Sequence, residues 1–311
     1  MELPEIPVTF LRFAAEGGPP TIKPFGVIVS LGVVAGAVVA MRRARRRGVD
    51  PWRLRAFLLY AVVLAFVGAH VFDAICYTPE KLAADPLYLL KLWGGLSSYG
   101  GFFGAIAGAW LYKVVRKENV LPYADVACSA FPLAWMIGRA GCAVVHDHPG
   151  VESGVWFAVQ FPELASGGLP RGLEPELSRP STWIHYDWSQ AMGRFDLGLL
   201  EMLLMVPLVV AFHLWWAAKP RPFGFFAGRL CVFYAPARFA LDYLRIDGDS
   251  SFGAGDQRYA ALTPAQWGCF ALFALGLFVL RAANRWPAPN SWREVEAWSE
   301  PASGTGARRR N

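Results

Sequence analysis

Apolar residues gather into seven runs, each of about the length that crosses ~30 Å of hydrocarbon as a helix. They extend from about Phe25 to Met41, Arg55 to Tyr77, Ser97 to Val115, Leu121 to Val145, Leu197 to Ala217, Gly224 to Leu244 and Gln266 to Leu280. Polar punctuation separates them. Arg42, Arg43, Arg45, Arg46 and Arg47 follow the first run, and Lys113, Arg116 and Lys117 close the third. Lys219 and Arg221 close the fifth, and Arg281 and Arg285 the seventh. Lysine and arginine concentrate in the cytoplasmic loops of membrane proteins. Seven spans put every basic cluster on one face, with the N-terminus outside and the C-terminus cytoplasmic. The expected fold is therefore all-α, a polytopic membrane protein of about seven transmembrane helices.

Two stretches lack an apolar run of that length. Residues 146–194 are rich in proline, glycine and tryptophan, which predicts an ordered extracytoplasmic loop or small head. From Trp286 onward the chain is polar, and 286–311 is expected to be a flexible cytoplasmic tail. One membrane domain, 1–285, accounts for the rest. Residues 1–23 are amphipathic and proline-rich. Glu2 and Glu5 stand where a cleavable signal would carry positive charge, so an interfacial segment is expected instead.

Composition sharpens this picture. The 311 residues are 55% hydrophobic and 17% charged, where a soluble domain carries about a quarter charged residues. The net charge of +6 sits beside spans, where it sets topology and meets anionic headgroups. Membrane lipids, rather than nucleic acid, are the partners this favours. Five cysteines show no CxxC or other metal-ligand spacing, so neither a disulfide framework nor a metal is predicted. No cofactor is expected, and the chain is read as a monomer.

The candidate chemistry lies in charges that interrupt the apolar runs. Arg139 falls inside the fourth, between Gly138 and Gly141, and an ionisable residue at membrane depth is by default a functional site with a partner to be named. Helix-end carbonyls or a nearby carboxylate would satisfy it, and so would the phosphate of a lipid. In the sixth run Tyr234, Arg238, Asp242 and Arg245 recur at spacings of four, four and three, which places them on one helical face. Arg238 and Asp242 can form an internal ion pair. Arg238 can equally face Arg139 across a cavity, and two guanidiniums match a phosphodiester by fork geometry. Pro236 would bend that helix.

The third run opens with Ser97-Ser98-Tyr99-Gly100-Gly101, and Gly104 and Gly108 follow. Small residues allow close helix packing, which explains Gly104 and Gly108. Tyr99 needs a hydrogen-bond partner at that depth, and a substrate oxygen is a candidate. His146, Asp147 and His148 close the fourth run. They suit acid–base work, loop ordering or, by a weaker signal, a metal. His70 and Asp73 lie near the outer end of the second run. His185 and His213 are read as structural, and no internal repeat of the kind found in many transporters is visible.

Taken in order, these features resemble the prolipoprotein diacylglyceryl transferase family over about Pro24 to Leu280. The Asp85-Pro86-Leu87-Tyr88-Leu89 approach, the tyrosine-glycine-glycine turn after it and the Gly138-Arg139-x-Gly141 signature ending at Gly150 are similar to that family's. So is the face from Tyr234 through Arg238-Phe239 and Asp242 to Arg245, where the family usually has glutamate at the aspartate position. Phe195-Asp196-Leu197 through Leu200-Glu201 takes the place of a histidine-proline-rich entry to the fifth span. The sequence also departs from the pattern. Tyr99 stands for the histidine before the paired glycines, His70 for an arginine, Phe25 for a tyrosine, Cys142 for an asparagine and Asp147 for a glutamate.

The resemblance implies an enzyme of the bacterial inner membrane. It would move the diacylglyceryl group of phosphatidylglycerol onto the lipobox cysteine thiol of a prolipoprotein, recognised through its signal peptide. It implies Arg139 as a headgroup ligand, with Gly100, Gly101, Gly141, Tyr234, Asp242, Arg245 and His70 lining the substrate site. Tyr99, Arg238, His146 and Asp147 would be the catalytic groups. A relative acting on another lipid or acceptor, a non-catalytic phospholipid-binding protein and an anion transporter are the alternatives.

Overall fold

The computed structural model describes residues 11–12, 21–22, 24–90, 95–146, 148–164, 186–246 and 258–283. The expectations for residues 1–10, for Asp147, for His185 and for the tail beyond Ala283 lie outside the described residues. The main elements are α1 (Pro24–Arg46), α2 (Pro51–Cys76), α3 (Pro79–Ala84), α4 (Ser98–Arg116), α5 (Leu121–Val145), α6 (Leu197–Ala218), α7 (Phe225–Asp242) and α8 (Pro264–Ala283). All except the short α3 correspond in order to the seven apolar runs. Among the described residues, α1, α2, α5, α6 and α8 are long and apolar enough to cross a membrane. The 19-residue α4 is dense in glycine. The 18-residue α7 carries Arg229, Arg238 and Asp242.

Short strands join the helices. β1 (Leu11–Arg12) pairs antiparallel with β2 (Thr21–Ile22). The loop-like stretch after α5 contains β3 (Pro149–Glu152), β4 (Val159–Leu164) and β5 (Tyr186–Asp196), in an antiparallel sheet of order β3-β5-β4. Its register pairs Pro149 with Asp196 and both Glu152 and Val159 with Arg194. Among the described residues, this sheet and the β1-β2 pair are the strand elements of an otherwise helical architecture.

The chain divides into two compact units. The first comprises Met1–Gly36, Phe131–Leu214 and Phe233–Phe273, and the second Ala37–Ala130, Trp215–Val232 and Ala274–Asn311. In the second unit, α1 ends where Gly48 adopts φ 66°. The Val49 N–H then bonds back to the Ala44 carbonyl at 3.1 Å, a Schellman closure that favours glycine. The next helix begins at once, with Asp50 accepting the Trp52 N–H at 2.8 Å and Pro51 at its first position, as start signals require.

α2 and α4 approach backbone to backbone. A Cβ on Gly104 would lie 2.1 Å from the Leu64 carbonyl oxygen, and one on Gly108 2.4 Å from that of Tyr60. Glycine is what lets the two helices touch there. The core of this unit packs Leu54, Phe57, Tyr112, Tyr123 and Val126 together. Inside it, buried Glu118 accepts the hydroxyls of Tyr112 and Tyr123 at 2.9 and 3.2 Å. Asp125 accepts the Phe226 and Ala227 N–H groups at 2.7 and 3.0 Å. It thereby places a carboxylate on the positive end of α7.

In the first unit the sheet and the helix ends are tied together. Arg194 donates to Glu152 Oε1 at 2.8 Å and to the Gly150 carbonyl at 3.3 Å. Gly150 and Arg245 form an isolated backbone bridge, so the residues just beyond α7 meet the first strand of the sheet.

Candidate active site

Charged side chains from α5, α6 and α7 meet in the interior of the first unit. Arg139 is 6% exposed, Glu201 3% and Arg238 5%. The Arg139 Nε lies 3.1 Å from Glu201 Oε2, and the Arg238 Nε lies 3.8 Å from the same oxygen. The other Glu201 oxygen accepts the Tyr234 hydroxyl at 2.6 Å and the Trp135 indole N–H at 2.9 Å. Glu201 is thus bonded at both oxygens and bridges two guanidiniums. The Arg139 guanidinium also lies 5.0 Å from the centre of the Trp135 ring, a cation–π contact. It donates to Cys142 Sγ at 3.5 Å.

A second carboxylate extends the network. Asp242 takes Arg238 NH1 at 2.7 Å and Arg245 Nε at 3.1 Å through one oxygen. Its other oxygen accepts the Thr263 hydroxyl. That hydroxyl also accepts the Gln266 N–H at 3.1 Å, while Gln266 Oε1 accepts the Thr263 N–H at 3.0 Å. This reciprocal pair is a capping box at the start of α8. The helix-starting threonine is therefore also the residue that holds Asp242.

Among the described residues, the guanidiniums of Arg139, Arg238 and Arg245 are joined in this network by the carboxylates of Glu201 and Asp242. Guanidiniums set side by side present the paired donors that suit an anion with several acceptor oxygens. Among the described residues no three His, Cys, Asp or Glu side chains gather as metal ligands.

Past the end of α5, His146 takes a left-handed backbone conformation with φ 50° and is 7% exposed. Its Nδ1 lies 2.5 Å from Asp196 Oδ2, and its ring meets Phe161 edge-on at 6.0 Å. Asp196 Oδ1 accepts the Leu199 N–H at 2.9 Å and so caps α6.

Apart from His146, the described candidates fall into three groups. Arg139, Tyr234, Arg238, Asp242 and Arg245 share one network, and in it the ion pair of Arg238 with Asp242 coexists with the meeting of Arg139 and Arg238. Gly141 lies on the opposite side of α5, where a Cβ would be 3.3 Å from the Phe25 ring and 3.5 Å from Ile28. Tyr99, Gly100, Gly101 and His70 belong to the second unit. There Tyr99 is 3% exposed and packs edge-on to Phe102 at 5.9 Å. His70 Nδ1 and Nε2 lie 3.2 and 3.0 Å from the Gly95 and Tyr88 carbonyl oxygens. A Cβ on Gly100 would meet the Gly68 carbonyl oxygen at 2.3 Å, whereas one on Gly101 would find ordinary contacts at 3.9 Å.

Sequence reasoning assigned no role to Glu201, Asp196, Trp135 or Thr263. For Glu201 a signal existed, since it is the one carboxylate in the apolar run of α6. For Asp196 the partner lies 50 residues away, and no local pattern marks it.

A sequence profile of the prolipoprotein diacylglyceryl transferase family matches residues 12–282. A phosphatidylglycerol–prolipoprotein diacylglyceryl transferase of Chromohalobacter salexigens is 30% identical over 230 residues, covering 73% of this chain and 76% of that protein. One of Azoarcus sp. is 26% identical over 270 residues, covering 86% of this chain and 92% of its own length. One of Vibrio parahaemolyticus is 30% identical over 239 residues, covering 76% and 78%.

Proposed function

This chain belongs to the prolipoprotein diacylglyceryl transferase family, and from that membership, together with the guanidinium cluster, we infer how it acts. It is a multi-pass transferase of the bacterial inner membrane that uses phosphatidylglycerol as donor and a prolipoprotein as acceptor. The diacylglyceryl group passes to the thiol of the lipobox cysteine, and glycerol phosphate leaves.

The observation that carries the site assignment is the meeting of Arg139 and Arg238 at one Glu201 oxygen, at 3.1 and 3.8 Å. Guanidinium groups present paired donors that fit phosphate oxygens. When the ester C–O bond breaks, the departing phosphate acquires a second negative charge. Two preorganised cations in a water-poor interior then hold the transition state more tightly than the intact lipid, which is what lowers the barrier. Asp242 orients Arg238, and Tyr234 and Trp135 orient Glu201.

If α4 and α7 complete seven spans with the five more apolar helices, the positive-inside rule assigns the basic end of α1 and the Lys219–Arg221 turn to the cytoplasmic side. The N-terminus then lies outside and the C-terminus inside. The β3-β5-β4 sheet lies on the outer side, where a signal peptide presents its cysteine.

Purified protein in phosphatidylglycerol vesicles, given a lipobox peptide, tests the reading. Lipidated peptide and one glycerol phosphate per peptide are expected. Lipid binding without either product would replace the enzyme with a binding protein, and vesicle uptake of an anion would replace it with a transporter.

A further inference from the structure

Two polar pairs connect α5 to the start of α6. Arg139 meets Glu201 at 3.1 Å, and His146 meets Asp196 at 2.5 Å. At 1.5 Å rise per residue, the end of α5 at Val145, the residue before His146, stands roughly 9 Å along the helix from Arg139. Asp196 stands roughly 7 to 8 Å along α6 from Glu201 by the same rise. The pairs are successive rungs on two antiparallel helices. One holds a site for an anion, and the other is a buried imidazole aligned by a carboxylate.

We propose that His146, positioned by Asp196, is the base that takes the proton from the acceptor thiol. The inference rests on the transferase reading and adds to it the group that makes the nucleophile. A thiol attacks as thiolate, and imidazole is the side chain suited to accept its proton near neutral pH. The Asp196 carboxylate against Nδ1 holds the proton on that nitrogen and leaves the Nε2 lone pair as acceptor. This is the orienting role a carboxylate plays toward a catalytic histidine. Asp196 is itself held by the Leu199 N–H, and the imidazole is braced by the Phe161 ring.

The step balances. Nε2 takes the Sγ–H proton, and sulfur forms a bond to the glyceryl carbon bearing the phosphate ester. The C–O bond to that carbon breaks, and its electron pair leaves on glycerol phosphate. The thiol approaches from the side away from the phosphate, so a base displaced along the helices from the guanidiniums, rather than beside them, suits the in-line geometry.

Among the described residues, the charged group recorded against the His146 ring is Asp196. In the chain Asp147 and His148 follow His146 directly, and Arg194, two residues before Asp196, is engaged by Glu152.

The test uses the full chain in phosphatidylglycerol vesicles with two lipobox peptides, one carrying cysteine and one selenocysteine, whose selenol is already ionised at neutral pH. His146→Ala should lower kcat on the cysteine peptide at pH 7 by about 100-fold or more, the lower end of what acid–base catalysis supplies. KM for the lipid should stay within about twofold. The selenocysteine peptide, or a rise to pH 9, should restore most of the rate. Asp196→Asn should give a smaller loss and displace the acid limb of the pH–rate profile, a readout that a purely structural tie would leave in place. His146→Gln, which keeps a hydrogen-bonding group toward Asp196, serves if the alanine variant does not fold. Equal losses on the two peptides, or a wild-type rate in both His146 variants, would overturn the assignment while leaving the transferase reading intact. A wild-type chain that lipidates neither peptide would overturn both.

Discussion

Arg139 and Arg238 arrive from different helices at one oxygen of Glu201, 3.1 and 3.8 Å away. Two like charges so placed repel, and the carboxylate between them offsets that repulsion.

Replacing Arg139 or Arg238 by alanine removes a cation from the leaving-group site. Loss of one charge-stabilising donor costs about 10²- to 10³-fold in rate in comparable sites, and lipidation should fall by at least that much. Arg139→Lys should not rescue it, since a single ammonium cannot reproduce the planar fork. Rates on a lipobox peptide decide this. Near-normal turnover in Arg139→Ala would remove the headgroup role.

Glu201→Gln keeps groups of the same shape toward Trp135 and Tyr234 but deletes the shared negative charge. Removing one partner of a buried ion pair costs roughly 3–5 kcal/mol, so the variant should unfold at a clearly lower temperature in detergent. Added phosphatidylglycerol should raise that temperature more in the variant than in the wild type, because its phosphate can supply the missing anion. An equal shift in both proteins would contradict this account.

Thr263 both starts α8 and donates to Asp242. Thr263→Val loses the cap and leaves a buried acceptor less well served, each at about 1 kcal/mol or somewhat more. Thr263→Ser should retain nearly all stability. Thermal unfolding of the two variants is the measurement, and turnover in Thr263→Val should drop a few-fold as Asp242 loosens its hold on Arg238.

The contact of α2 with α4 separates neighbouring glycines. Gly104→Ala would set a Cβ 2.1 Å from a carbonyl oxygen, while Gly101→Ala finds space at 3.9 Å. The first should reduce the amount of folded protein in membranes and its resistance to protease, and the second should change neither.

How far these features could be read from sequence depended on distance along the chain. The helices were legible because a bilayer demands long apolar runs, and the face of Tyr234, Arg238, Asp242 and Arg245 because helical spacing is local. The sharing of one carboxylate by Arg139 and Arg238 was not legible. It requires Glu201, which lies 62 residues beyond Arg139 and 37 before Arg238, and no local rule links the three. The β3-β5-β4 sheet was missed for a similar reason. Its central strand joins partners far upstream, and its proline- and glycine-rich surroundings read as loop. Gly141 illustrates the converse case, a conspicuous signature residue whose position against Phe25 and Ile28 is a matter of helix packing.

The Glu201 bridge has a consequence for repeated turnover. A protein that loads and releases an anion inside hydrocarbon must rebalance its interior at each exchange, and small ions from water are slow visitors there. With a resident carboxylate already paired with both arginines, an arriving lipid head meets cations that are never left bare. The guest competes with an internal understudy instead of with solvent.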